Sequence, residues 1–175
     1  MKKFKNKYRI PSSRLQGYDY GSNGIYFITI NTKNRKHYFG TITAETHNGA
    51  SLQATEIGKI AQTYWADITN HYPFVTVDAF VVMPDHMHGI LIFNNPEKKD
   101  WTPNSFGVQS NNLAAVIRGF KSSTKRYANQ NNIEFEWQPR FHESIIRDEN
   151  ALNTVRRYII NNPIKWLKRR ATARL

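Results

Sequence analysis

The first candidates for chemistry in this chain are two histidines set one residue apart, His86 and His88, in the stretch Val82-Met83-Pro84-Asp85-His86-Met87-His88-Gly89. On an extended strand, residues i and i+2 point to the same face, so both imidazoles can be presented to one point in space. Neutral imidazole is the commonest protein ligand for metal ions, and the pair reads as half of a metal site at a strand edge. The competing reading is two surface or hydrogen-bonded histidines. A second group lies in Tyr158-Ile159-Ile160-Asn161-Asn162-Pro163, where Tyr158 and Asn162 are spaced i and i+4, neighbours on one helix face. A phenol can act as a covalent nucleophile, and an amide oxygen one turn on can complete a hard-cation site. The same two residues also suit a core-facing tyrosine and a helix C-cap at Asn162.

These side chains need strands and helices to hold them, and the pattern supplies both. Gly21-Ser22-Asn23-Gly24 is a turn signal, and the β-branched and aromatic run Ile25 to Ile30 predicts a central strand. Residues 31–38 read as a polar, basic loop, and 39–54 as a hairpin around Asn48-Gly49. Ile57, Ile60, Ala61, Tyr64, Trp65 and Ile68 recur at helical spacing, predicting a helix from Thr55 that ends before Pro73. Val75 to Met83 and His86 to Phe93 predict an antiparallel strand pair, followed by an exposed loop over 94–110. A second helix is expected over 111–129, a short strand from Phe141 to Arg147, and a third helix capped by Asp148 or Asn150 and stopped or kinked by Pro163. Apart from the inserted hairpin, the order is β-α-β-β-α-β, the ferredoxin-like split βαβ, plus one helix. The expected class is therefore α+β: a ferredoxin-like palm with an inserted hairpin and an extra C-terminal helix carrying Tyr158.

A chain of 175 residues is one domain in size and long enough for a core. The net charge of +12 and pI near 10.0 call for a polyanionic partner, nucleic acid first. Lys2, Lys3, Lys5, Lys7, Arg9 and Arg14 open the chain without an acid, and Lys165, Lys168, Arg169, Arg170 and Arg174 close it in the same way. We divide it into a basic arm (1–14), a central domain (15–167) and a basic tail (168–175). Without cysteine there are no disulfides or thiolate ligands. The basic start lacks the apolar stretch of a signal peptide, and no apolar run approaches the ~20 residues that span a bilayer. A cytoplasmic protein with no membrane partner is expected.

The sequence resembles the HUH-type single-tyrosine transposases of the small insertion-sequence class and, more closely, the REP-associated tyrosine transposases. The likeness runs from Arg14-Leu15-Gln16-Gly17-Tyr18-Asp19-Tyr20 to Trp166. It takes in Tyr26-Phe27-Ile28-Thr29-Ile30, the His86/His88 stretch, Phe120-Lys121-Ser122, Trp137-Gln138, Phe141-His142, Ile145-Ile146-Arg147 and Tyr158 to Pro163. What the resemblance implies is a bacterial, nucleoid-associated enzyme that cleaves and rejoins single-stranded or hairpin DNA. It implies that His86 and His88 bind a divalent ion, Mg²⁺ or Mn²⁺, with Asn162 as third ligand and Asn161 as the alternative. It implies Tyr158 as the nucleophile, forming a 5′-phosphotyrosine and freeing a 3′-OH. It implies a monomer, with a homodimer as the alternative.

Candidate DNA contacts are Arg9 and Arg14 in the arm, Arg118, Lys121 and Lys125 on the second helix, and Lys165 beyond Pro163. They are chosen because phosphates are held by Lys and Arg. The alternative from a different class is a module that grips single-stranded or hairpin DNA without cutting it. What separates the two is whether Tyr158 approaches the histidine pair.

Overall fold

The computed structural model describes residues 3–4, 7–8, 15, 17–45, 49–96 and 111–172. Arg9 and Arg14, like most of the arm, lie outside the described residues; within it, β1 (Lys3–Phe4) and β2 (Lys7–Tyr8) form a short antiparallel ribbon.

The palm is a four-stranded antiparallel sheet of β3 (Gly24–Asn31), β6 (Val75–Met83), β7 (His86–Phe93) and β8 (His142–Ile146), in the order β6-β7-β3-β8. This is the strand order of a ferredoxin-like sheet, and the predicted element order holds. Alternation along the strands sorts side chains onto two faces. Tyr26, Ile28 and Ile30 of β3, with Met87, Leu91 and Phe93 of β7, enter the larger core. There they meet α1 (Glu56–Ala66), α2 (Ile68–His71) and α3 (Leu113–Gln130). Ile25 and Phe27 of β3, with Ile90 and Ile92 of β7, face the other way, onto Leu152, Val155 and Ile159 of α4 (Glu149–Ile160). His86 and His88 share the parity of Ile90, so they too face the α4 side.

Side-chain caps start α1, α3 and α4. Thr55 accepts from the Gly58 amide at 3.2 Å, Asn112 from Ala115 at 2.9 Å and Asp148 from Ala151 at 2.8 Å. Each satisfies an amide that the first turn leaves without an intrahelical acceptor. Between α1 and α3 the indole of Trp65 lies fully buried against Gly89 of β7, so closely that a Cβ at position 89 would occupy the ring. That glycine lets helix and strand approach beside His88.

The structure corrects two helix predictions. The helix expected from Thr55 to before Pro73 is interrupted at Asp67, which closes α1 and precedes α2. The helix expected to carry both Tyr158 and Asn162 is two helices. α4 ends at Ile160, Asn161 caps it, and α5 (Asn162–Thr172) begins with Asn162. Pro163 has no amide hydrogen, and the first turn of a helix is where that costs least; it starts α5 rather than only ending α4. α5 runs through most of the stretch read as a basic tail, as far as Thr172.

The predicted hairpin is β4 (Gly40–Ala44) and β5 (Ala50–Ala54), a separate two-stranded ribbon against which α5 packs. Asn48 of its turn signal lies outside the described residues, as do residues 97–110 of the predicted loop. The loop over 31–38 contains a helical turn at Lys33–Arg35, with left-handed backbone at Asn34 (φ 54) and Arg35 (φ 57).

Candidate active site

Strand pairing brings the site together. The β3–β7 register sets Thr29 opposite His88 and Asn31 opposite His86. The two imidazole centroids are 4.7 Å apart. His86 and His88 are each 6% exposed, and each has Nδ1 committed. Asp85 Oδ1 lies 2.5 Å from His86 Nδ1, and Thr29 Oγ1 lies 2.8 Å from His88 Nδ1. With Nδ1–H donating in both rings, both Nε2 lone pairs remain for another partner. This is the arrangement by which an outer hydrogen bond fixes the tautomer of a metal-binding histidine.

Tyr158 comes from α4, and its hydroxyl stands 3.2 Å from His88 Nε2. The ring is 37% exposed, set perpendicular to Phe27 at 6.0 Å, with the Lys165 ammonium 5.7 Å from its centre. A cavity of about 180 Å³ opens here, lined by Thr29, Arg35, His86, His88, Tyr158, Asn162, Lys165, Trp166 and Arg169. Asn162 is 8% exposed on its wall, whereas the exposed Asn161 turns its amide back to donate to the Arg157 carbonyl at 2.8 Å. The α4–α5 break therefore sends Tyr158 and Asn162 into one cavity from two helices.

The electrostatics follow from burial and neighbours. Burial, together with the nearness of His86 and the Arg35 guanidinium, pushes His88 from 6.5 down to about 3, so its imidazole is neutral around neutral pH and keeps its lone pair. Burial alone would raise the Asp85 carboxyl, but the hydrogen bond from His86 and the charge of Arg35 outweigh it. They hold Asp85 below its ordinary value.

As metal donors, the residues are two imidazoles, the Nε2 of His88 in contact with the Tyr158 hydroxyl, and a buried amide. Among the described residues no group of three His, Cys, Asp or Glu side chains is arranged to hold an ion. The donor set suits a divalent ion that draws its remaining ligands from phosphate oxygen and water.

Of the proposed DNA contacts, Lys165 lines the cavity. The others on α3 lie on the opposite side of the sheet. Lys121 Nζ donates to the carbonyls of Gln138 (2.7 Å) and Arg140 (2.9 Å), and Lys125 Nζ to that of Phe135 (2.7 Å). Both lysines close the chain between α3 and β8, a structural use that the sequence reading did not anticipate. Arg118 is exposed on α3. Sequence reasoning missed Thr29 and Arg35, and took Trp166 and Arg169 only as part of the basic stretch 165–170 rather than as cavity residues. A signal existed for the last two: Asn162, Lys165, Trp166 and Arg169 follow the i, i+3, i+4, i+7 spacing of one helix face.

No family model matches the chain. An uncharacterized protein of Haemophilus influenzae is 35% identical over 164 residues, covering 89% of this chain and 88% of that protein. The REP-associated tyrosine transposase of Escherichia coli is 27% identical over 151 residues, covering 85% and 73%. The fold is also that of a solved structure of a REP-associated tyrosine transposase bound to a REP hairpin, with a TM-score of 0.59, 21% identity, and coverage of 88% and 74%. The chain is a relative of the REP-associated tyrosine transposases. Relatedness to transposases accords with the strong positive charge. Among the described residues no helix is long and apolar enough to cross a membrane.

Proposed function

We propose that this protein cleaves and rejoins single-stranded DNA at hairpin sequences, with Tyr158 as the nucleophile. The observation that carries the reading is the 3.2 Å approach of the Tyr158 hydroxyl to His88 Nε2 inside a cavity walled by Arg35, Lys165 and Arg169. A module that only grips DNA has no use for a phenol placed against a neutral imidazole. The named binding of a REP hairpin by the structural neighbour supports hairpin DNA as the substrate class.

His86, His88 and Asn162 would hold a divalent ion, Mg²⁺ or Mn²⁺. When bound, such an ion offsets the negative charge that builds on a phosphate under attack. The protein's own residues do the rest. Phe27 and Lys165 hold the Tyr158 ring at the cavity mouth, and the cationic walls draw a phosphodiester against it. The phenol oxygen bonds to phosphorus, the P–O3′ bond breaks, and the strand leaves a 3′-OH while its 5′-phosphate stays on Tyr158. The phenolic proton leaves to solvent or to the departing oxygen. A 3′-OH attacking the phosphotyrosine reverses these steps and rejoins strands without an external energy source. Tyr158 and His88 meet within one chain, so the reading needs only a monomer.

The test is a labelled hairpin with single-stranded flanks, incubated with Mg²⁺ or Mn²⁺ and resolved on a denaturing gel. A covalent protein–DNA adduct in the wild type, absent in Tyr158→Phe, is expected. Tight binding with no adduct on repetitive palindromes from the host, under either metal, would favour the binding module.

A further inference from the structure

Arg35 stands out because its position costs the backbone something and its side chain is aimed. Two consecutive non-glycine residues, Asn34 and Arg35, adopt left-handed backbone (φ 54 and 57), a conformation that L-residues keep only when their surroundings enforce it. The surroundings do enforce it. The Thr32 amide and hydroxyl donate to the Asp85 carbonyl at 3.0 and 2.9 Å, the Lys33 amide to Glu136 at 2.9 Å, and the Phe39 amide to Pro84 at 3.0 Å. The segment is stapled to the turn that precedes His86.

The side chain is fixed as firmly. Nε of Arg35 lies 2.9 Å from Asp85 Oδ2, and NH1 donates to Asn31 Oδ1. Asp85 spends its other oxygen on His86. Among the described residues the second terminal nitrogen, NH2, has no hydrogen-bond partner, and Arg35 lines the cavity with its side chain 48% exposed. A guanidinium whose stem is immobilised by a carboxylate loses little freedom when its outer donors take a second anion. The planar fork suits a phosphate diester better than an ammonium would. Across the cavity α5 presents Lys165 and Arg169, one turn apart on its surface.

We propose that Arg35 is a DNA-phosphate anchor. Held by Asp85 and Asn31, it binds a backbone phosphate of the strand that enters the cavity, opposite Lys165 and Arg169. The placement of that phosphate beside Tyr158 rests on the function proposed above, whereas the binding itself does not.

The experiment uses the full chain carrying Tyr158→Phe, without metal, so that neither covalent chemistry nor an ion contributes. Binding of a fluorescent single-stranded DNA oligonucleotide is followed by anisotropy over a series of salt concentrations. Adding Arg35→Gln should weaken binding about tenfold, the loss of one charge-assisted contact. It should also reduce the log–log salt slope by about 0.7, the release of one phosphate contact on a single strand. Lys59→Gln, on α1 across the sheet, should change the slope less. Arg35→Lys keeps the charge and loses the fork, so it should retain the slope while binding more weakly, and it serves as the deciding variant if Arg35→Gln lowers the melting temperature. An Arg35→Gln slope and affinity matching those of Lys59→Gln, or an Arg35→Lys affinity equal to the parent, would overturn the anchor. An altered slope in Arg35→Gln, together with a wild type that never forms an adduct, would keep the anchor and overturn the nuclease.

Discussion

The Tyr158 hydroxyl and His88 Nε2 stand 3.2 Å apart, so the proposed nucleophile rests on the lone pair proposed for the metal. One lone pair cannot serve both. Occupation of the metal site must release the phenol, and removing the hydroxyl must ease occupation. Tyr158→Phe is expected to bind Mn²⁺ about two- to tenfold more tightly than the wild type in the absence of DNA, the worth of one relinquished hydrogen bond. Isothermal titration calorimetry measures this directly, and unchanged or weaker binding would show that the contact does not compete with the ion.

Thr29 holds His88 from behind. Thr29→Val keeps the β-branched shape that suits β3 but deletes the oxygen 2.8 Å from His88 Nδ1. Loss of such an outer partner typically lowers metal affinity by about 10- to 100-fold. Mn²⁺ titration of the variant, alongside a thermal melt to verify folding, checks the expectation. Full affinity in Thr29→Val would mean that the ring keeps its orientation without the hydroxyl.

Chelation should separate the two stages of the reaction. With EDTA the adduct is expected to disappear while hairpin binding, driven by phosphate contacts, persists. Excess Mn²⁺ should restore the adduct. Gel and anisotropy measurements on the same samples decide it, and an adduct that survives chelation would remove the metal from the scheme.

The His88 environment also predicts a pH dependence of stability. In the folded protein this imidazole stays neutral down to about 3, whereas its ordinary value is 6.5. Between those values the unfolded chain takes up a proton that the folded chain refuses, so the folded state loses stability as pH falls from about 6.5 toward 3. Denaturation midpoints measured from neutral pH downward should fall more steeply in wild type than in His88→Gln. Parallel curves would show that His88 titrates normally.

Gly89→Ala tests the packing beneath the site. The added methyl has no room against the Trp65 indole, and overpacking of this kind costs about 1–3 kcal/mol. Chemical denaturation gives the loss. A neutral substitution would mean that α1 moves away from β7 without penalty.

Much of this was legible in the sequence because it rests on periodicity. The i, i+2 spacing of His86 and His88 and the apolar runs around them gave strand, face and neighbours, and the element order gave the sheet. The pairing register was not legible, and Thr29 enters the site only through it. Arg35 stayed hidden because its role depends on a left-handed turn and on hydrogen bonds to a turn about fifty residues away in the chain (Thr32 to Asp85), which no local pattern encodes. Lys121 and Lys125 looked like DNA contacts because sequence gives charge and not direction; in the fold their ammonium groups are bound to backbone carbonyls. The break at Asn161 was half visible, since Pro163 marked a discontinuity without showing that a new helix starts there.

The alternating parity of β7 has an evolutionary consequence. Met87, Gly89 and Leu91 face the larger core while His86 and His88 face the cavity and Ile90 the smaller core, so at this end of the ribbon the site residues and the larger core lie on opposite sides. An insertion or deletion of a single residue between Pro84 and His88 would exchange the sides, sending an imidazole inward and a methionine out. Such a lesion would not yield a folded but inactive protein; it would remove the protein altogether. Lineages that abandon the chemistry while keeping the domain must therefore do so by point substitution, leaving the length of this strand intact.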